Sequence, residues 1–179
     1  MRISGGLLKG RLFYPPADKW PTRPTTDIAR EALFNVLTNF LDFEQIKALD
    51  LFGGSGAHTY EMVSRGCQDV SYVDHHKPCH SFVRKTLSTL HIESQVKLFQ
   101  MDYLDFIQTT NSKFDYIFAG PPYPLKAIPL IPDQILHSSL LKANGIITLE
   151  HNPDHKFDSH PNYWKSKNYG QTFFSFFKG

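Results

Sequence analysis

The chain has 179 residues, 41% of them hydrophobic and 20% charged, which describes a soluble globular protein with one substantial core. No run approaches the roughly 20 apolar residues of a membrane span, and "MRISGGLLKGRLF" lacks the apolar core and cleavage site of a secretory leader. Two cysteines, Cys67 and Cys79, make no disulfide framework, so the expected setting is a reducing cytoplasm; a monomer is expected separately.

The net charge of +2 conceals a split. Residues 1–30 carry a net +4 and residues 155–179 a net +3, leaving −5 between them. Basic ends around an acidic centre suit a polyanionic partner, provided both ends reach one face.

Taken in chain order, residues 1–16 read as a small hairpin, with glycines at the bend and prolines ending its second strand. A proline-punctuated loop, "DKWPTRP", follows. "TTDIAREALFNVLTNFL" reads as an amphipathic helix, with Ile28, Leu33, Val36, Leu37 and Phe40 at near-helical spacing. Thr25, Thr26 or Asp27 can cap its start.

From residue 46 strands and helices alternate. "IKALDLF", "DVSYVD", "QVKLFQM", "FDYIFA" and "GIITLEH" read as strands. Helices are expected at "SGAHTYEMVSRG", "KPCHSFVRKTLSTL", "YLDFIQ" and residues 128–140. "NYWKS" and "QTFFSFF" form a closing hairpin around Asn168-Tyr169-Gly170. The pattern predicts an α/β fold: a mostly parallel, doubly wound, Rossmann-like sheet with an antiparallel C-terminal hairpin appended to its edge. One domain spans 1–179, with an N-terminal extension over 1–25 and a core over 26–179.

"LDLFGGSGA" turns a strand through glycines directly into a helix. Glycines permit close ligand approach, and the helix start offers free N–H groups. The dinucleotide fingerprint G-x-G-x-x-G, begun at Gly54, fails at Thr59. S-adenosylmethionine (SAM) suits the pattern better. In SAM enzymes of this fold such strand-end acids face the methionine ammonium, the ribose hydroxyls and the adenine amine in turn. Asp50, Asp74 and Asp102 stand at the matching positions, with service as helix caps or turn formers the alternative for each. Phe52, Gly53, Gly54, Ser55, Gly56 and Tyr103 complete the cofactor set. Acidic residues ending three successive parallel strands line the crevice where such sheets bind ligands.

"FDYIFAGPPY" ends a strand in Gly120-Pro121-Pro122-Tyr123. It resembles the (Asp/Asn)-Pro-Pro-(Tyr/Phe) loop of enzymes that methylate exocyclic base amines. There the first side chain and the first proline carbonyl accept the amine hydrogens, and the aromatic stacks on a base taken out of its helix. Pro121 and Tyr123 retain those capacities; Gly120 has no side-chain acceptor. A charge-assisted hydrogen bond of that kind is worth roughly 1.5–3 kcal/mol, about one to two orders of magnitude in rate.

Together these residues resemble the RsmD family, guanine-N2 methyltransferases of bacterial small-subunit ribosomal RNA. "MRISGGLLKGR", "RPTTDIAREALFN", "LDLFGGSGA" with "EMVSRG", "FDYIFAGPPY", "NGIITLEH" and "YGQTFFSFF" carry the resemblance over nearly the whole chain. It implies SAM-dependent transfer to a guanine amine within an assembling small subunit. It also implies an N-terminal segment over the cofactor site, with Arg2, Lys9, Arg11 and Arg23 on RNA phosphates. Three departures stand out: Gly53 for the usual Ala, a mild change, His58-Thr59 for the usual Leu-Gly, and Gly120. The last leaves three readings open: a weakened enzyme, a substitute acceptor nearby, or an impaired SAM- and RNA-binding homologue.

"DHHKPCH" crowds His75, His76, Cys79 and His80, but no second cluster completes a metal site, and none is expected. The tail phenylalanines Phe173, Phe174, Phe176 and Phe177 read as strand packing, and Cys67 as a small buried hydrophobe.

Overall fold

In the structure, a computed structural model that describes residues 1–16, 20 and 25–179, strands and helices alternate as the sequence pattern predicts. Strands β1 (Lys47–Leu51), β2 (Asp69–Val73), β3 (Val96–Phe99), β4 (Phe114–Ala119), β5 (Leu141–His151), β6 (Tyr163–Tyr169) and β7 (Thr172–Lys178) form one seven-stranded sheet. Its order is β3-β2-β1-β4-β5-β7-β6, parallel from β3 through β5. β7 runs antiparallel to both its neighbours.

Helices α1 (Asp27–Leu37), α2 (Ala57–Ser64), α3 (Lys77–Leu90), α4 (Tyr103–Thr109) and α5 (Ile131–Leu136) divide between the two faces. α1, α2 and α3 pack with Ala48, Tyr116, Phe118, Phe174 and Phe176 on one face. α4 and α5 pack with Leu49, Leu51, Ile117, Leu149 and Phe177 on the other. Coverage on both sides explains why the central strands are near-continuous apolar runs rather than alternating ones. It also explains the tail: Phe174, Phe176 and Phe177 are wholly buried in the two layers. Cys67 is likewise buried, with no accessible surface.

The N-terminal segment is less regular than a hairpin. Its one strand-like pairing is the bridge between Arg2 and Leu12, flanked by Ile3 N–H to Arg11 O and Phe13 N–H to Met1 O. The segment is instead built onto α2. Leu7 N–H donates to Ser64 O at 2.7 Å, an approach open only to glycine at position 6, where φ is +73° and a Cβ would lie 1.8 Å from that oxygen.

Beneath it runs a buried ionic network. Glu61 accepts from Ser4 N–H (2.9 Å), Ser4 Oγ (2.6 Å) and Arg65 Nε (3.0 Å), and lies 3.7 Å from Arg30 Nε. Arg30 donates to Arg2 O and to Asp27, tying extension, α1 and α2 together. The expected apolar face of α1 holds at Leu33, Val36 and Leu37 but fails at Ile28 and Phe40, with Arg30 buried on the same side. The helix buries Ala29, Arg30, Leu33, Phe34 and Leu37, while Ile28 is 77% and Phe40 46% exposed.

A second correction concerns residues 128–140. Pro129 and Pro132 each open a short helical piece, Ile128–Leu130 and α5, which ends at Leu136. β5 starts at Leu141, earlier than expected, through a register irregularity opposite Phe114–Tyr116. Among the described residues no helix is long and apolar enough to cross a membrane.

Candidate active site

The carboxyl ends of β1, β2, β4 and β5 open onto a cavity of about 690 Å³. Its floor is the turn after β1. Phe52 takes a left-handed φ of +66° and Gly54 one of +51°, so the chain doubles back before α2. Gly53, Gly54 and Ser55 line the cavity. Gly56 does not: it caps α2 in a left-handed conformation, and a Cβ there would lie 2.7 Å from the Tyr60 ring. Gly53 also answers to its surroundings. A Cβ at this position would lie 2.3 Å from the Tyr72 ring, whose hydroxyl donates to Gly54 O at 2.8 Å. The exchange expected to be mild is therefore dictated by Tyr72.

Asp50, 1% exposed, ends β1 against this turn. Its Oδ2 accepts from Thr59 N–H (3.0 Å) and Thr59 Oγ1 (2.7 Å). Its Oδ1 is buried without a hydrogen-bond partner, and the residue lines the cavity. Burial pushes the carboxyl up to about 7, against the pull of the two Thr59 bonds. An orphaned carboxylate oxygen in a ligand-sized cavity is a receptor for a cation. Thr59, which broke the dinucleotide pattern, is the residue that holds this carboxylate.

Asp74 accepts Gly54 N–H at 2.8 Å through Oδ2 and His76 N–H at 2.7 Å through Oδ1, and lines the cavity. A carboxylate offers about four lone-pair sites, so hydroxyl donors can still be taken. Tyr103 and Met101 form an apolar wall, with the Tyr103 ring 4.5 Å from Phe52. Asp102 stands apart from the expected constellation. It is exposed, caps α4 by accepting Leu104 N–H at 2.8 Å, and does not line the cavity. The strand-end position that served Asp50 and Asp74 here serves a helix start.

Across the cavity, Gly120, Pro121, Pro122 and Tyr123 leave the end of β4 as a wall. The Pro122 carbonyl is engaged by Leu125 N–H at 2.9 Å. Gly120 N–H donates to Leu51 O at 3.2 Å, pinning the loop to β1. Above it, Phe118 stacks on His58 at 3.5 Å between ring centroids and 17° between planes. His58 is buried; desolvation and the Arg30 charge lower it well below the ordinary histidine range, which favours the neutral ring.

Glu150, at the end of β5, was missed by the sequence reading. It lines the cavity, accepts Thr25 Oγ1 at 2.5 Å and Tyr123 Oη at 3.2 Å, and burial raises its carboxyl. The signal that found Asp50 and Asp74, an acidic residue closing a parallel strand, is equally present in "GIITLEH". Tyr169, Gly170, Gln171 and Thr172 of the β6–β7 turn, with Thr25 and Thr26, complete the rim.

Arg2, Lys9 and Arg11 are exposed, while Arg23 lies outside the described residues. Met1 reaches the glycine turn, with Ser55 Oγ 3.8 Å from its sulfur. The loop carrying Lys9 instead docks at the far end of α2, about 12 Å away by helical rise. The basic tail packs beside the segment that follows α1: Lys165 Nζ lies 3.9 Å over the Phe40 ring, and within the tail Lys178 Nζ lies 3.7 Å over Trp164. His76 Nδ1 lies 3.1 Å from Cys79 Sγ, and among the described residues no group of three or more His, Cys, Asp or Glu is placed to hold a metal.

The sheet order, glycine turn and strand-end carboxylates define a Rossmann-like methyltransferase fold. It is shared with a solved Thermus thermophilus 16S rRNA N2 G1207 methyltransferase in complex with AdoMet and guanosine, at TM-score 0.68 and 19% identity over 86% of this chain and 43% of that one. The family described as "Conserved hypothetical protein 95" matches residues 1–178. Proteins called Ribosomal RNA small subunit methyltransferase D match along most of their length. That of Haemophilus influenzae is 31% identical over 86% of this chain and 80% of its own. That of Buchnera aphidicola (subsp. Baizongia pistaciae) is 32% identical over 95% and 85%. The chain belongs to this family, the RsmD methyltransferases.

Proposed function

We propose that this protein transfers a methyl group from SAM to the exocyclic N2 amine of a guanine in small-subunit ribosomal RNA. The observation that carries the reading is the orphaned, buried Asp50 Oδ1 beside the glycine turn, facing a proline-aromatic loop across one cavity. Bound SAM supplies an electrophilic methyl group. Asp50 would meet its ammonium, the Asp74 carboxylate would accept from the ribose hydroxyls, and Tyr103 with Met101 would cover the adenine.

On the substrate side Tyr123 stacks on the extruded base, and the Pro121 carbonyl accepts one amine hydrogen, so that the nitrogen lies in line with the methyl carbon. Arg2, Lys9, Arg11 and Arg23 contact phosphates, and the exposed tail lysines extend the basic surface. Family membership supports the ribosomal substrate; the loop's likeness to amine-methylating enzymes supports the amine.

Calorimetric titration with SAM, then methyl transfer from labelled SAM to small-subunit particles lacking the modification, tests the reading. SAM binding with label appearing in guanine is the expected result. SAM binding without transfer to any particle RNA refutes catalysis. Gly120 favours one second reading, a binding-only homologue, which predicts that refuting result.

A further inference from the structure

We propose that the Glu150 carboxylate replaces the side chain missing at position 120: it accepts one hydrogen of the guanine amine opposite the Pro121 carbonyl and takes up the proton released on methylation. The inference rests on the guanine-amine reading above and goes beyond it in naming the acceptor and base.

Sheet register places the group. Ala119 of β4 pairs with Leu149 of β5, so Gly120 and Glu150 are the next residues along adjacent parallel strands. Strand alternation puts both on the face shared by Phe118 and Tyr116, because Ala119 and Leu149 pack on the opposite one. A side chain at 120 would thus project on the face that Glu150 occupies, next to the cavity both line. That space is otherwise closed to residue 120. A Cβ there would lie 2.9 Å from Phe118 Cε1 and 3.3 Å from its Cζ, and the ring is backed by His58. The wall is built for a glycine at 120 and a carboxylate one strand over.

Glu150 is also held like a reacting group. Thr25 Oγ1 and Tyr123 Oη each engage one carboxylate oxygen, leaving about two acceptor sites for an incoming N–H. Both partners line the cavity, and Tyr123 is the residue assigned to the base itself. Burial favours the protonated carboxyl, which suits a group that must receive a proton.

The step balances as follows. The amine nitrogen forms a bond to the methyl carbon, the carbon–sulfur bonding pair leaves with sulfur, and the positively charged nitrogen loses its surplus proton to Glu150 Oε. The products are a neutral thioether, a secondary amine and a neutral Glu150, which later returns the proton to water. An amide acceptor could orient the amine but not take the proton.

The experiment compares kcat for labelled methyl transfer to undermethylated small-subunit particles in native protein, Glu150→Gln, Tyr123→Phe, the double variant and Gly120→Asp, with the SAM Kd measured for each. Glu150→Gln is expected to lower kcat at least about tenfold with an unchanged SAM Kd, and to do so equally in the Tyr123→Phe background. A native kcat retained within twofold overturns the proposal. Equal losses in Glu150→Gln and Tyr123→Phe that do not compound also overturn it, since Glu150 would then only position the tyrosine. Activity confined to Gly120→Asp overturns it while leaving the guanine-amine reading intact. Inactivity of every form with SAM still bound removes that reading, and the inference with it.

Discussion

Introducing the Asp of the (Asp/Asn)-Pro-Pro-(Tyr/Phe) loop by Gly120→Asp is expected to damage this protein rather than repair it. The new Cβ would sit 2.9 Å from Phe118 Cε1, inside the distance real Cβ atoms adopt. The ring has nowhere cheap to go: it is 2% exposed, stacked on His58 at 3.5 Å and tilted against Phe174 at 6.5 Å. Overpacking of this kind costs about 1–3 kcal/mol. The added carboxylate would also share the cavity wall with Glu150 and Asp50, two buried acids. For a chain of this size the loss corresponds to a fall in Tm of roughly 2–12 °C. Thermal unfolding of native protein, Gly120→Asp, Phe118→Leu and the double variant measures it. The double variant should recover part of the loss, because the smaller side chain removes the ring from the path of the new Cβ. A Gly120→Asp protein as stable as native, with Phe118→Leu changing nothing in its background, would refute the steric argument.

Asp50→Asn separates binding from stability. The native carboxyl titrates near 7 when folded and near 3.8 when unfolded, so its contribution to stability is full below about pH 4 and lost as pH rises through 7. At pH 7.5 the variant should therefore be more stable than native in urea titration yet lose SAM affinity, and its stability should depend less on pH between 4 and 7. Glu61→Ala removes the acceptor of Ser4 and Arg65 and leaves the wholly buried Arg30 guanidinium without its buried counter-ion. A destabilisation of about 3–5 kcal/mol in denaturant titration, with earlier proteolysis of residues 1–16, is expected. Gly53→Ala should weaken SAM binding by calorimetry because Tyr72 must move, and Gly53→Ala with Tyr72→Leu should bind more tightly than Gly53→Ala alone. Arg2→Ala or Arg11→Ala should each reduce the slope of log affinity against log salt for particle RNA by about one, with unchanged SAM affinity.

Much of this protein was legible in the chain because its signals are local. Alternating apolar strands and capped helices specify the parallel sheet; α3 and β4 fall where the pattern placed them. The glycine turn and the carboxylates Asp50 and Asp74 follow from the geometry of a strand entering a helix at the crevice. Asp102 carried the same local signal, yet its side chain caps α4 outside the cavity, because a strand-end carboxylate can turn to either role. Arg30 counts in the chain only as one of the basic charges of residues 1–30, whereas in space it is buried beside Glu61, 31 positions away. Thr59 broke a fingerprint in sequence and holds Asp50 in space. Sequence by itself determined the order of the elements, the fold class and the family. Only the tertiary structure decided which groups share the cavity, because Glu150 meets Gly120 and Tyr123 through strand register rather than chain spacing.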